Sequence, residues 1–172
     1  IEGLTLSVTE GEIFGFVGPR GAGKTTTTRL MLDLLRPTAG TIRIFGKDSH
    51  RQGAAVRKEI GYLPSEIYYY DHMRVKDVLD YAAGFYRGRN SKKRVRELAD
   101  YFELDLRQDV DELSRSGRKK TAIIQAILHS PKLLILDDPT AGLDQEMQYR
   151  LSELLRATQE SGATIFLASP VL

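Results

Sequence analysis

At 172 residues, with 41% hydrophobic and 28% charged side chains, the chain has the balance of one ordinary globular domain. A net charge of +2 is too small to imply nucleic acid or an acidic membrane as a partner. There is no cysteine, which excludes disulfides and thiolate metal sites.

No apolar run approaches the length that spans a bilayer, and the first residues carry no signal-peptide pattern. Any work at a membrane is therefore expected to go through a partner. The chain opens at Ile1 and stops at Leu172 just past an apolar run, so we expect a piece of a longer polypeptide.

Leu4, Leu6 and Val8 alternate with Thr5 and Ser7, the period of a half-buried strand. Thr9-Glu10-Gly11 reads as a turn and Ile13–Val17 as a buried strand, which together predict a hairpin. Gly18–Gly23 is a glycine-rich loop, and Lys24–Leu35 reads as a helix that Pro37 ends. Short strands are expected at Thr41–Phe45 and Ile60–Leu63.

From Asp71 to Asp111 the period turns helical, with the stripes Val75, Val78, Leu79, Ala82 and Val95, Leu98, Ala99, Phe102. The basic residues Arg87, Arg89, Lys92, Lys93, Arg94 and Arg96 fit a solvated helix face better than a nucleic-acid or lipid patch. A helix after Ser114 turns Ala122, Ile123, Ala126 and Ile127 inward, and His129 is expected to cap its last carbonyls. Then follow the run Leu133–Leu136, a helix over Asp144–Glu160 and the run Ile165–Ala168. Alternating strands and helices around a helical insert at roughly residues 66–116 predict an α/β fold. Its parts are a parallel sheet, a small antiparallel β subdomain and the helical subdomain.

Gly18-Pro19-Arg20-Gly21-Ala22-Gly23-Lys24-Thr25 matches the phosphate-loop pattern G-x-x-x-x-G-K-S/T in full. Glycines let backbone N–H groups converge on a phosphate, and the following helix points its positive end at the same anion. Lys24 can reach the β- and γ-phosphates, Thr25 can place its hydroxyl on Mg²⁺, and Thr26 can meet the α-phosphate. A flexible glycine turn would not explain the Lys-Thr pair or the apolar strand before it. Leu133–Leu136 delivers Asp137 beside that loop to orient hydrated Mg²⁺, and Asp138 is the candidate general base. Asp144 has the position of a helix N-cap.

These segments, joined by Ile60–Glu66, Leu113–Gly117 and Ala141–Asp144 in order, resemble the nucleotide-binding domain of an ATP-binding cassette (ABC) transporter. The chain is similar to the bacterial export-type ATP-binding subunits from Ile1 to Leu172. The resemblance implies a P-loop NTPase core in a single domain over residues 1–172, with ATP and Mg²⁺ as cofactors. Its catalytic residues are Lys24 and Asp138; Gly18, Pro19, Arg20, Gly21, Ala22, Gly23, Lys24, Thr25 and Thr26 surround the nucleotide, and Thr25 and Asp137 hold the metal.

It further implies two cassettes, homo- or heterodimeric, facing head to tail, so that Ser114, Ser116 and Gly117 act on the other subunit's ATP. Asp144 then lies in the dimer-interface loop. An integral-membrane subunit would be the second partner, placing the chain on the cytoplasmic, inner face of the cell membrane. No nucleic acid is expected.

Four departures from the family's pattern bear on turnover. Ser65 stands for a glutamine, Arg115-Ser116 for a glycine pair, Asp138 for a glutamate, and Pro170 for a histidine that bonds the γ-phosphate. Proline brings neither a side-chain donor nor an N–H. The aromatic residue that stacks on adenine would precede Ile1. Binding kept and hydrolysis impaired is the resulting expectation. The alternatives are a regulatory nucleotide-binding module with negligible hydrolysis and a soluble, non-transport cassette. A GTPase is disfavoured, since no Asn-Lys-x-Asp motif occurs.

Overall fold

The computed structural model describes residues 1–86 and 90–170. Four strands, β1 (Ile13–Val17), β4 (Ile60–Leu63), β5 (Leu133–Asp137) and β6 (Thr164–Ser169), form one parallel sheet in the order β1-β6-β5-β4. The register pairs Ile13 with Ile165, Leu133 with Thr164 and Ile60 with Leu133. Two-residue strands β2 (Arg43–Ile44) and β3 (Lys47–Asp48) make a small antiparallel pair. The helices are α1 (Lys24–Met31), α2 (Gly53–Arg57), α3 (Val75–Gly84), α4 (Ser91–Tyr101), α5 (Arg115–Ile127) and α6 (Gln145–Glu160).

Strand alternation sorts the core into two layers. Leu134 and Leu136 of β5 face one cluster with α3, α4, α5 and α6, while Leu133 and Ile135 face another with Leu32, Val56 and Ile44. Every residue of β5 is buried, as expected for a strand covered on both faces. All eight residues of the two predicted helical stripes are buried. The rungs Val75 N–H to Gln108 C=O (3.0 Å) and Val110 N–H to Met73 C=O (2.9 Å) tie the two ends of this helical stretch together.

Several expectations are corrected. Residues 4–8 form no strand: Leu4 and Leu6 are exposed and pair with no neighbour, because alternation without a partner ladder makes no sheet. β1 is likewise flanked on one side alone among the described residues, by β6; Ile13 and Val17 are exposed, while Phe14 and Phe16 pack on Phe166. α1 stops at Met31 rather than Leu35. Asp33 turns left-handed (φ 58°), and its carboxylate accepts from His50 Nδ1 at 2.8 Å. His129 makes its contact with the Ile60 carbonyl of β4, at 3.1 Å, and stacks on Tyr86. Of the basic stretch, Lys92, Lys93 and Arg96 are exposed; Arg87 and Arg89 lie outside the described residues.

Candidate functional site

All four parallel strands end at the same edge of the sheet, where such folds bind their ligands. The loop after β1 begins with Gly18, whose N–H donates to Ser169 C=O of β6 at 3.4 Å. Gly21 (φ 80°) and Gly23 (φ 89°) take left-handed backbone that side chains rarely adopt, and Gly23 is the N-cap of α1. The Lys24 ammonium folds back along this loop and donates to the carbonyls of Gly18 (2.6 Å) and Pro19 (2.9 Å). Beneath it, the buried Thr28 hydroxyl donates to Thr25 C=O at 2.9 Å, fixing the first turn of α1.

A cavity of about 260 Å³ opens over this loop. Arg20, Gly21, Gly23, Lys24, Thr25 and Thr26 form one side; Ser65, Asp137, Asp138 and Pro170 form the other. Residues that follow all four strands thus line one cavity. Gly18, Pro19 and Ala22 do not line it; they shape the loop from behind.

Asp137 is 2% exposed, and its Oδ2 is buried with no hydrogen-bond partner among the described residues. An unpaired buried carboxylate oxygen is costly. A cation entering the cavity would supply the missing partner. One carboxylate and the Thr25 hydroxyl are hard oxygen donors of the kind Mg²⁺ takes, leaving its other positions to phosphate oxygens and water. The residues present therefore fit Mg²⁺ carried in with a nucleotide.

Asp138 is half-buried and left-handed (φ 51°), and its N–H donates to Ala168 C=O at 2.8 Å. The turn closes through Leu143 N–H to Thr140 C=O (3.1 Å), and Asp144 caps α6 by accepting from Met147 N–H at 2.8 Å.

Ser114, Ser116 and Gly117 are not brought to this cavity. The Ser114 hydroxyl instead caps α5, accepting from Gly117 N–H at 3.0 Å. Gly117 is buried against Leu113, leaving no room there for a larger side chain without displacement. The methylenes of Arg115 lie across Gly142, within 3.2 Å of where a Cβ would stand.

Sequence reasoning missed Lys119. It is 4% exposed, and its ammonium donates to Asp138 C=O at 3.1 Å. Burial pushes its pKa below the ordinary lysine value, partly offset by Asp138 and Asp137 and reinforced by Arg115. The signal was available: Lys119 falls on the inward stripe with Ala122, Ile123 and Ala126, where a charge needs a partner.

Comparison with known proteins agrees with this architecture. The family model for ABC transporters matches residues 1–141. The chain belongs to the ABC transporter family, among its ATP-binding proteins. It is 38% identical over 174 residues to the uncharacterized ABC transporter ATP-binding protein YhaQ of Bacillus subtilis (strain 168), covering 98% of this chain and 57% of that relative. It is similar to a solved ATP-binding subunit of an ABC transporter, with 28% identity and TM-score 0.87 over 98% of this chain and 72% of that one. A dimeric ATP-binding cassette, MJ0796, solved in a post-hydrolysis state with ADP and Pi, shares the fold. That match has TM-score 0.85 at 24% identity, covering 95% of this chain and 77% of that one. The chain spans between 49% and 57% of the length of the first three curated relatives it matches.

Proposed function

We propose that this chain is the ATP-binding part of an ABC transporter subunit, which holds Mg-ATP between Gly18–Thr26 and the ends of β4, β5 and β6. The observation that carries the reading is the unpartnered Asp137 Oδ2, buried on the wall of the cavity that Lys24 and Thr25 line from the other side. Lys24 would leave the Gly18 and Pro19 carbonyls for the β- and γ-phosphates. Thr25 and Asp137 would hold Mg²⁺, which neutralises developing phosphate charge when bound. Asp138 would accept the proton of the attacking water.

Turnover is expected to be weak. A general base is worth roughly 10²–10⁴ in rate, and a carboxylate one methylene short forfeits part of that. Pro170 lines the cavity yet adds no donor, a loss of roughly 10²–10³ where charge develops. These losses need not multiply, because groups acting together are not additive. Pro170 is also the observation that favours the second reading, a regulatory module that binds and scarcely hydrolyses.

Ser114, Ser116 and Gly117 stand away from this chain's own cavity, which supports their acting on the ATP of a second cassette. The helical stretch at roughly 66–116 would serve as a subdomain docking the membrane subunit, with Tyr68 and Tyr70 exposed on it. Among the described residues no helix is long and apolar enough to cross a membrane. Attachment at the inner face of the membrane would then come through that subunit.

The test is Mg-ATP binding and phosphate release measured on one sample. Binding with release well below about 1 s⁻¹ supports the reading. Lys24→Ala should abolish binding, and retained affinity would overturn the site.

A further inference from the structure

A buried lysine needs a reason, since an ammonium out of water is unfavourable unless its donors are used. Lys119 gives one proton to a single carbonyl, that of Asp138, across 3.1 Å. That carbonyl belongs to a residue whose backbone is left-handed without being glycine, a conformation the surroundings must hold in place. The Asp138 N–H is already fixed by Ala168 C=O on β6 at 2.8 Å. Lys119 therefore secures the other end of the same residue. One helical turn earlier on α5, Arg115 lies across Gly142, at the far end of the same turn. Two cations four residues apart on one helix thus brace the segment 138–142.

We propose that Lys119 is a positioning residue for hydrolysis: through the Asp138 carbonyl it fixes the direction in which the Asp138 carboxylate leaves the end of β5, and it ties that direction to α5. The proposal rests on the reading of Asp138 as the base. Its consequence is mechanical. Ser114 caps the start of α5, so a displacement of that helix start reaches the base-bearing turn through one hydrogen bond and one side-chain contact.

The experiment compares the chain with Lys119→Met and Lys119→Arg by amide hydrogen exchange, Mg-ATP affinity and phosphate release. In Lys119→Met, exchange at Ala141 and Leu143 should quicken roughly tenfold while β5 stays protected. Affinity should stay within about twofold while release falls about tenfold or more, the split expected when a group acts after binding. Lys119→Arg keeps the donor and should recover most of both effects. If the parent chain binds Mg-ATP without measurable release, the protection that nucleotide gives to residues 138–143 becomes the readout, and Lys119→Met should remove it. Unchanged exchange in Lys119→Met, or affinity and release falling together, overturns the proposal for Lys119 alone. A parent chain that binds no Mg-ATP overturns the nucleotide reading and the catalytic role of Lys119 with it.

Discussion

The amide of Asp138 donates to the carbonyl of Ala168 at 2.8 Å, locking the turn after β5 onto the strand that ends immediately before Pro170. Asp138 and Pro170 then overlook one cavity from adjacent strands, so a change at either is felt in the same space. Restoring the family's residues at both, Asp138→Glu with Pro170→His, should raise phosphate release by roughly 10–10³-fold, with Mg-ATP affinity nearly unchanged. Stopped-flow phosphate detection reads the first, and titration the second. A flat response would place the limit at the helix start that carries Arg115 and Ser116.

Gly61 offers a test of the packing beneath the site. A methyl group there would run into the Ala126 carbonyl of α5 and come within 3.0 Å of the Pro131 and Leu134 side chains. Backbone cannot swing aside as a side chain does, so Gly61→Ala should cost about 3 kcal/mol of stability in urea unfolding. Gly84→Ala, in α3 with nothing within 4 Å, should instead gain about 0.5 kcal/mol.

Tyr69 packs against the helical cluster, whereas its neighbours Tyr68 and Tyr70 are exposed. Its hydroxyl is buried without a hydrogen-bond partner among the described residues. Tyr69→Phe should therefore be neutral or stabilising, by about 1 kcal/mol. The pH dependence has a definite sign. Burial raises the Tyr69 pKa above its ordinary 10.0, so the unfolded chain loses that proton first. The stability this group contributes is complete below pH 10.0 and drains away above it. Alkaline thermal melts of Tyr69→Phe should fall less steeply than those of the parent above that pH.

Asp144 caps α6 through Met147 N–H, so Asp144→Ala should cost about 1 kcal/mol while Asp144→Asn should cost little. A separate role for the carboxylate between two cassettes would appear as a loss in Asp144→Asn confined to dimer assembly. Sedimentation with Mg-ATP would measure it.

Much of this could be read from residue order. The β5 run and the two helical stripes announce themselves by period and by their buried faces, and the glycine-lysine-threonine loop by its spacing. The apolar run Leu133–Leu136 points to Asp137 and Asp138, the resemblance alone to Ser65 and Pro170, and all four meet at one cavity. What local pattern could not give was partnership. Alternation at Leu4–Val8 resembles a strand, but a ladder needs a second chain segment beside it. α2 was missed because a five-residue helix beginning at Gly53 carries too little periodicity to register. α1 ended early because Asp33 found a partner in His50, seventeen residues away. The inward stripe of α5 announces that Lys119 is buried, but not that its partner is a carbonyl nineteen residues downstream.

The sheet order has a consequence for the order of events during synthesis. β1 and the phosphate loop emerge early, yet β1 hydrogen-bonds to β6, made some 150 residues later, with Ile13 opposite Ile165. β6 also supplies the Ser169 carbonyl that receives Gly18 and the Ala168 carbonyl that receives Asp138. Contacts so distant along the chain close slowly. A growing polypeptide thus displays the loop's full motif long before it owns a cavity, and ribosome-bound intermediates should ignore nucleotide until residues 164–169 have left the exit tunnel.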